Sequence, residues 1–482
     1  MYYAYITRIK NLKPHPNADR LQMGECFGNS VIVSLEYENE QLGVYFPTDG
    51  QVSVEFAEAN NLLRKKDDAG NNIGGYMDPD KRNITAIRLR GEKSDGLFLP
   101  LSCLAAFGDI SSLTEGERIN VFNGHEICTK YIPRRNPRSS RGGGNKARKH
   151  KEPIAPTFAE HADTEQLNYN LEAFKPGDQI EITLKMHGTS GRTGYLPIHK
   201  PHSWKTTSTL AGAVLKILPT DSKLYNWVAK KYATPNYEYG YISGTRRVVL
   251  EDYEGGYYGS NEFREQHSKV FEGKLRKGET AYYEIVGFTH TGGSIMGNGN
   301  NEKLGKDFVK QYGKETVFSY GCEPHPKTFT GYNDSAPGYQ DQPVEVNIPQ
   351  SDMYVYRMTM TNEDGDVVEY TPDFMRYRCE QMGVKCVPVF WSGLIPENPG
   401  SVEDLTISAG EWVKNVAEKY YDGPDPVGKT HIREGVVVRI VNRPKFTAYK
   451  TKNFSFKVLE GIIKDSATAP DMEEAQEVDE LS

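Results

Sequence analysis

What this 482-residue sequence lacks narrows its class first. It has six cysteines, Cys26, Cys103, Cys128, Cys322, Cys379 and Cys386, and no two stand as a C-x-x-C pair. That spacing excludes a disulfide framework and a zinc cluster and suits a reducing compartment, so a cytoplasmic protein is expected. No run of eighteen or more apolar residues occurs, which excludes a membrane-spanning helix. The opening residues, Met-Tyr-Tyr-Ala-Tyr-Ile-Thr-Arg, lack the basic, apolar and small-residue order of a secretory leader.

Charge of each sign is locally missing as well. Between residues 128 and 151 there are nine Lys or Arg and no Asp or Glu; between 471 and 480 there are six acids and no base. The formal net charge of -7 averages this segregation away. A glycine-spaced basic run neutralises phosphates without reading sequence, so residues 128–157 are expected to form a flexible basic linker that meets nucleic acid. Residues 470–482 read as an acidic, disordered tail.

Length is present in excess of one ordinary core, and two or three domains are expected. Residues 1–127 alternate short apolar runs with turns, as in Tyr3-Ala-Tyr-Ile-Thr-Arg-Ile and Asn29-Ser-Val-Ile-Val-Ser-Leu. A small β-barrel is the economical fold for such spacing. Two segments there, His15-Pro-Asn-Ala-Asp-Arg-Leu21 and Leu89-Arg-Gly-Glu-Lys-Ser-Asp-Gly-Leu97, resemble the OB-type tRNA-binding module found beside some tRNA synthetases. The resemblance implies a basic face for single strands or bent backbones, with Arg88, Arg90 and Lys93 as its cations and His15 as a turn residue.

From residue 158 strands alternate with helices. Lys185 ends a strand at 179–186 and is followed by Met-His187-Gly188. An amine held beside other cations, or partly desolvated, loses its proton more readily and can act as a nucleophile. Arg246 and Arg247 fall in a second strand-like run. Glu284 interrupts a third, Tyr356 sits in a fourth, Glu434 heads a fifth, and Lys450 and Lys452 share one face of a sixth by the two-residue period. Residues 204–233 read as helix broken at Pro219, 371–382 as helix, 289–311 as loop and 385–391 as one strand. Charges inside strands are uncommon unless paired or functional, so these groups are expected on one common sheet.

In this order, Lys185-x-His187-Gly188, Arg246, Glu284-Ile-Val-Gly287, Tyr356, Glu434-Gly-Val-Val and Lys450-x-Lys452 resemble the covalent nucleotidyltransferase superfamily of ATP-dependent ligases and mRNA-capping enzymes, over residues 158–465. His187, where many members carry Asp, is similar to the RNA ligase branch. With its front end, the chain resembles nick-sealing RNA ligases that have an N-terminal OB module. The resemblance implies an α+β fold: an ATP-grasp-like, DNA-ligase-type domain of antiparallel sheets and helices at 158–469, with an insertion near 289–350, preceded by an OB-like barrel at 1–127. It implies that Lys185 attacks the α-phosphate of ATP and that Lys450 and Lys452 supply neighbouring cations. Glu284 and Glu434 would grip ribose and hold Mg2+ or Mn2+ through water. Tyr356 would stack on adenine, and Arg246, with Arg247 as competitor, would contact ribose or RNA phosphate. His187 is expected to be structural or a phosphate donor. Two positions depart from the pattern. Leu184 stands where related RNA ligases often have Glu, which bears on nucleotide preference, and Arg192 has no counterpart in the DNA-ligase form.

The implied activity is ATP-dependent joining of RNA 3′-OH and 5′-phosphate ends through lysyl-AMP and RNA-adenylate intermediates, in RNA repair, on a nicked duplex or a tRNA, by a monomer. Two alternatives stay open: a non-catalytic RNA-binding protein with a degenerate transferase domain, and an mRNA-capping-type guanylyltransferase. Deletion of residues 1–156 is expected to spare adenylylation and weaken sealing.

Overall fold

The computed structural model describes residues 2–66, 72–132, 155–206, 208–220, 222–250, 253, 258, 260–333, 336–402 and 405–465. Most of the expected basic linker (133–154) and all of the expected acidic tail lie outside the described residues. No helix among the described residues is long and apolar enough to cross a membrane.

The front end folds as several small sheets. Four strands lie in the order Leu97–Pro100, Leu42–Phe46, Ala4–Arg8, Arg118–Ile119. Lys10–Pro14, Leu21–Cys26 and Asn29–Ser34 form a meander, and Ala86–Leu89 pairs with Glu92–Asp95 as a hairpin. No closed barrel forms among the described residues. The strand spacing was legible in the sequence, but closure depends on long-range pairing, which a two-residue pattern does not encode.

The two segments with the tRNA-binding resemblance are laced to each other. Asn17 N donates to His15 Nδ1 at 3.0 Å, which leaves Nε2 to donate to Leu89 O at 3.2 Å. The Asn17 amide donates to Arg90 O at 3.0 Å, and Arg90 Nη1 donates to Asn17 O at 3.2 Å. His15 is thus a buried tie between two turns.

The front end also docks on the rest of the chain. Arg88 and Lys93 lie 5.7 and 5.3 Å from the Phe454 ring centroid, and Asp95 pairs with Lys457 at 2.6 Å. Ala86 packs in one core with Leu184, Met186, Phe454, Phe456 and Leu459. In the opposite direction, Tyr169 enters the front-end aromatic cluster, 4.7 Å from Tyr5 and 5.1 Å from Phe27. Each such large apolar side chain contributes on the order of 1.5–3 kcal/mol when fully buried.

Two sheets carry the expected site residues. The first has the order Glu165–Gln166, Thr447–Lys452, Gly435–Ile440, Gln179–Lys185, Val389–Leu394. The second runs Val249–Leu250, Ala233–Gly244, Thr189–Thr206, Glu279–Gly287, Ser351–Thr361, Val367–Glu369, with Lys385–Cys386 beside Ser351–Thr361. The chain passes from one to the other at Met186-His187-Gly188.

Four local expectations are corrected. The charged residues come from two sheets rather than one. Arg246 and Arg247 lie in the turn after Ala233–Gly244, not within a strand. The run 385–391 is two strands, Lys385–Cys386 in the second sheet and Val389–Leu394 in the first. Pro388, which has no N–H to donate to a ladder, marks the switch, and its carbonyl accepts from Leu184 N at 2.9 Å. The expected loop 289–311 contains the strand Gly299–Asn300, the 3-10 turn Asn301–Leu304 and the start of the helix Lys306–Tyr312. Elements this short carry too few turns for a period to register. The expected break at Pro219 separates the helices Thr209–Ile217 and Lys223–Tyr232.

The docked front end adds a stability expectation for a truncated chain. Deletion of residues 1–156 should expose the apolar face around Phe454, Phe456 and Leu459 and lower the thermal midpoint of the remainder. Differential scanning calorimetry of the two chains checks this; an equal or higher midpoint for the short chain would show that docking adds no stability.

Candidate active site

The crossing between the sheets places the lysine. Gly188 sits against the neighbouring strand so closely that a Cβ would lie 2.3 Å from Ile285 O. Its N–H donates to Glu284 Oε1 at 3.1 Å. On the other side, His187 N donates to the Tyr320 hydroxyl at 2.6 Å, and that hydroxyl donates to His187 O at 3.1 Å. The Lys185-Met-His187-Gly188 backbone is therefore held from both flanks. The His187 ring stands edge-on to Phe318 and Phe456, at 4.6 and 4.7 Å, with Nδ1 3.7 Å from Glu434 Oε2.

One carboxylate gathers the cations. Lys185 Nζ and Lys452 Nζ both reach Glu434 Oε1, at 2.8 and 3.2 Å. Burial opposes the Glu434 charge, yet Lys185, Lys452 and His187 together hold its carboxyl well below the usual range. Lys452 also meets both oxygens of Glu460, at 2.9 and 2.7 Å. Burial, and then the charges of Lys185, Lys452, Lys130 and Arg246, push the Lys450 ammonium down to about 7.

A cavity of about 170 Å³ opens beside this cluster. Of the expected site residues, Lys185, Arg246, Glu284, Tyr356 and Lys450 line it. Glu434 and Lys452 join it through Lys185, whereas Arg247 is exposed and outside the lining. Arg357, Arg376 and Arg439 add to the wall, so six cationic side chains face two carboxylates, Glu181 and Glu284. Such a field favours a polyanionic ligand.

Several of these residues escaped sequence reading. Glu181, Thr183 and Lys185 share one face of Gln179–Lys185, and the period-two pattern could have found the first. Arg376 Nη1 meets Glu181 Oε2 at 2.7 Å. Arg357 Nε is within 3.1 and 3.0 Å of both Glu369 oxygens, and Arg439 Nη2 donates to Tyr370 O at 2.8 Å. His161 carries no motif at all, yet its Nδ1 is hydrogen-bonded to the Tyr356 hydroxyl and its ring stands edge-on to Tyr282 at 5.0 Å. Burial first, then Arg192, Arg246, Arg357 and Arg264, hold His161 well below the usual histidine range. Arg192 now has a place: it is buried, donates to Phe158 O at 3.3 Å and to Ala159 O, and lies 4.2 Å from the Phe158 ring centroid. Asp163 pairs with Arg246 and, at 3.6 Å, with Arg247. These arginines secure the segment that carries His161.

The carboxylates suit a divalent cation bound through water. Glu434 Oε2 is buried without a hydrogen-bond partner, and Glu284 lines the cavity. No group of three or more His, Cys, Asp or Glu able to hold a metal directly occurs among the described residues. Two carboxylates with retained water match magnesium's reluctance to dehydrate.

Two outcomes follow from this geometry. Gly188→Ala should destabilise the fold by about 1–3 kcal/mol, because its Cβ meets backbone that cannot rotate away; urea unfolding measures it. For Lys450, an ordinary lysine titrates near 10.5, whereas the folded chain releases this proton at about 7. Between those values the unfolded chain binds more protons, so this group's contribution to stability rises with pH. Lys450→Met should therefore raise the thermal midpoint at pH 6, with the gain shrinking toward pH 10.

No family model and no curated protein sequence matches the chain. Solved structures do. Two substituted forms of Naegleria gruberi RNA ligase, each with ATP and Mn, align at TM-scores of 0.51 and 0.52 and 16% and 15% identity. The alignments cover 95% and 94% of this chain and 97% and 98% of theirs. An apo form of the same ligase aligns at 0.51 and 16% identity, over 94% of this chain and 97% of its own. Along nearly its whole length, the chain has a fold similar to that of this RNA ligase.

Proposed function

We propose that the protein is an ATP-dependent RNA ligase that joins 3′-OH and 5′-phosphate RNA ends through a covalent lysyl-AMP at Lys185, in RNA repair in the cytosol. The observation that carries this reading is the convergence of Lys185, Glu434 and Lys452, with Glu284, Tyr356, Arg246 and Lys450 on the adjoining cavity. The fold similarity to an RNA ligase, whose solved structures hold ATP and Mn, supports ATP and a divalent metal.

In the first step the Lys185 amine attacks the α-phosphorus of ATP, a bond to nitrogen forms, and pyrophosphate leaves. The amine must be unprotonated to attack. Lys450 and Lys452 offset charge on the α-phosphate as it shifts in the transition state. Tyr356 offers a ring for the adenine, and Arg246 offers a donor for ribose or RNA phosphate. A divalent cation held through water by Glu284 and Glu434 would add charge neutralisation at the phosphates. AMP then passes to an RNA 5′-phosphate, the 3′-hydroxyl attacks that phosphate, and AMP leaves.

We read the front end as a nucleic-acid-binding module. A second cavity of about 170 Å³ there is lined by Lys13, Arg88 and Lys93 together with Glu25 and Glu92. Its surplus of cations suits a phosphate backbone, which contributes affinity without sequence readout.

Incubation with α-labelled ATP and Mg2+ or Mn2+ should leave acid-stable, amine-linked label on the protein. A Lys185→Ala variant that labels as well as the parent would sink the proposal. Labelling from GTP instead of ATP would point to a guanylyltransferase, and salt-sensitive RNA binding with no labelling would point to a binding protein.

A further inference from the structure

The helix Phe454–Asp465 begins two residues after Lys452. Asn453 starts it, with Oδ1 accepting from Ser455 N at 2.7 Å, while Asn453 N donates to Glu434 O at 2.8 Å. Two charged side chains three residues apart on this helix point to different partners. Lys457 meets Asp95 of the front end at 2.6 Å, and Glu460 meets Lys452. Neither pair is a surface pair: side-chain exposure is 15% and 9% in the first and 11% and 10% in the second.

The charges give these pairs a purpose. Lys185 and Lys452 both contact one oxygen of Glu434. Two ammonium groups on one oxygen repel each other and compete for it. Glu460 takes Lys452 with both of its oxygens, at 2.9 and 2.7 Å, closer than the 3.2 Å between Lys452 and Glu434. Breaking one partner of a buried pair leaves an uncompensated charge that must move or lose its proton.

We propose that Glu460 is a positioning residue for Lys452, and that the front end sets its place through Asp95, Lys457 and the helix between them. This rests on the lysine-adenylylation reading for its kinetic consequence alone. A continuous set of contacts then runs from the front end to the nucleophile: Asp95 to Lys457, along the helix to Glu460, and on through Lys452 and Glu434 to Lys185.

The test uses the full chain with Glu460→Ala, the volume-keeping Glu460→Gln, and Asp95→Asn. A misaimed Lys452 loses a contact that counts in the transition state. The rate of lysyl-AMP formation at saturating ATP should fall about 10- to 100-fold in the Glu460 variants, and less in Asp95→Asn, with the KM for ATP nearly unchanged. An unaltered rate, or a rise in KM alone, would overturn the proposal.

A second readout needs no catalysis. Lys450 is faced by Lys185, Lys452, Lys130 and Arg246, and it acts on Asp163. Its amine can be titrated from pH 6 to 10 with a small acylating reagent and peptide mass spectrometry. If Lys452 swings away in Glu460→Ala, one lowering charge is lost and the Lys450 midpoint rises. An unchanged or lower midpoint overturns the positioning role. Should the parent fail to form lysyl-AMP, the proposed function fails while this titration still decides the role of Glu460.

Discussion

The Glu434 carboxylate, 3% exposed and shared by Lys185 and Lys452, sets the terms for everything around it. An ionised carboxylate that deep is sustained by its cations, and removal of one partner from such a pair typically costs about 3–5 kcal/mol. The neighbours follow from that demand. Lys450, in the same cationic company, is pushed down to about 7 by burial first and then by those charges. Glu460 supplies a second negative charge, which Lys452 binds through both carboxylate oxygens.

Backbone constraint then decides where the nucleophile candidate stands. Lys185 ends a strand of one sheet, and three residues later the chain is already entering the other. That passage works because Gly188 tolerates a carbonyl where a side chain would be, and because Tyr320 and Glu284 bind the peptide groups on either side. Lys185 therefore reaches the cavity from the first sheet while Glu284 and Tyr356 reach it from the second. A cavity between two sheets has walls that can differ in charge and chemistry, which one sheet face could not provide as readily.

The front end is part of this arrangement. Tyr169 enters its aromatic cluster, Ala86 enters the core beneath the Lys185 strand, and Asp95 binds the helix that holds Glu460. Arg88 and Lys93, expected on an open RNA face, are exposed yet lie near the Phe454 ring, where a cation is attracted by the ring face. They stand at the junction of the two parts, beside a small cavity with Lys13.

The sequence by itself determined which chemistry-bearing residues recur on or beside strand-like runs and in what order: Lys185, Glu284, Tyr356, Glu434, Lys450 and Lys452. It did so because a buried strand excludes charge unless a partner or a task retains it. The alternation of Lys450 and Lys452 likewise followed from local periodicity. Only the tertiary structure decided that these strands belong to two sheets, that Arg246 lies in a turn, and that Glu460, His161, Arg357 and Arg439 stand with them. Those facts depend on contacts between residues far apart in the chain, such as the His161 bond to Tyr356 and the Asp95 pair with Lys457. Local propensity has no term for such pairs. Lys185-Met-His187-Gly188 shows both halves: its strand and its glycine are legible in four letters, but the carboxylate that holds its lysine comes from residue 434.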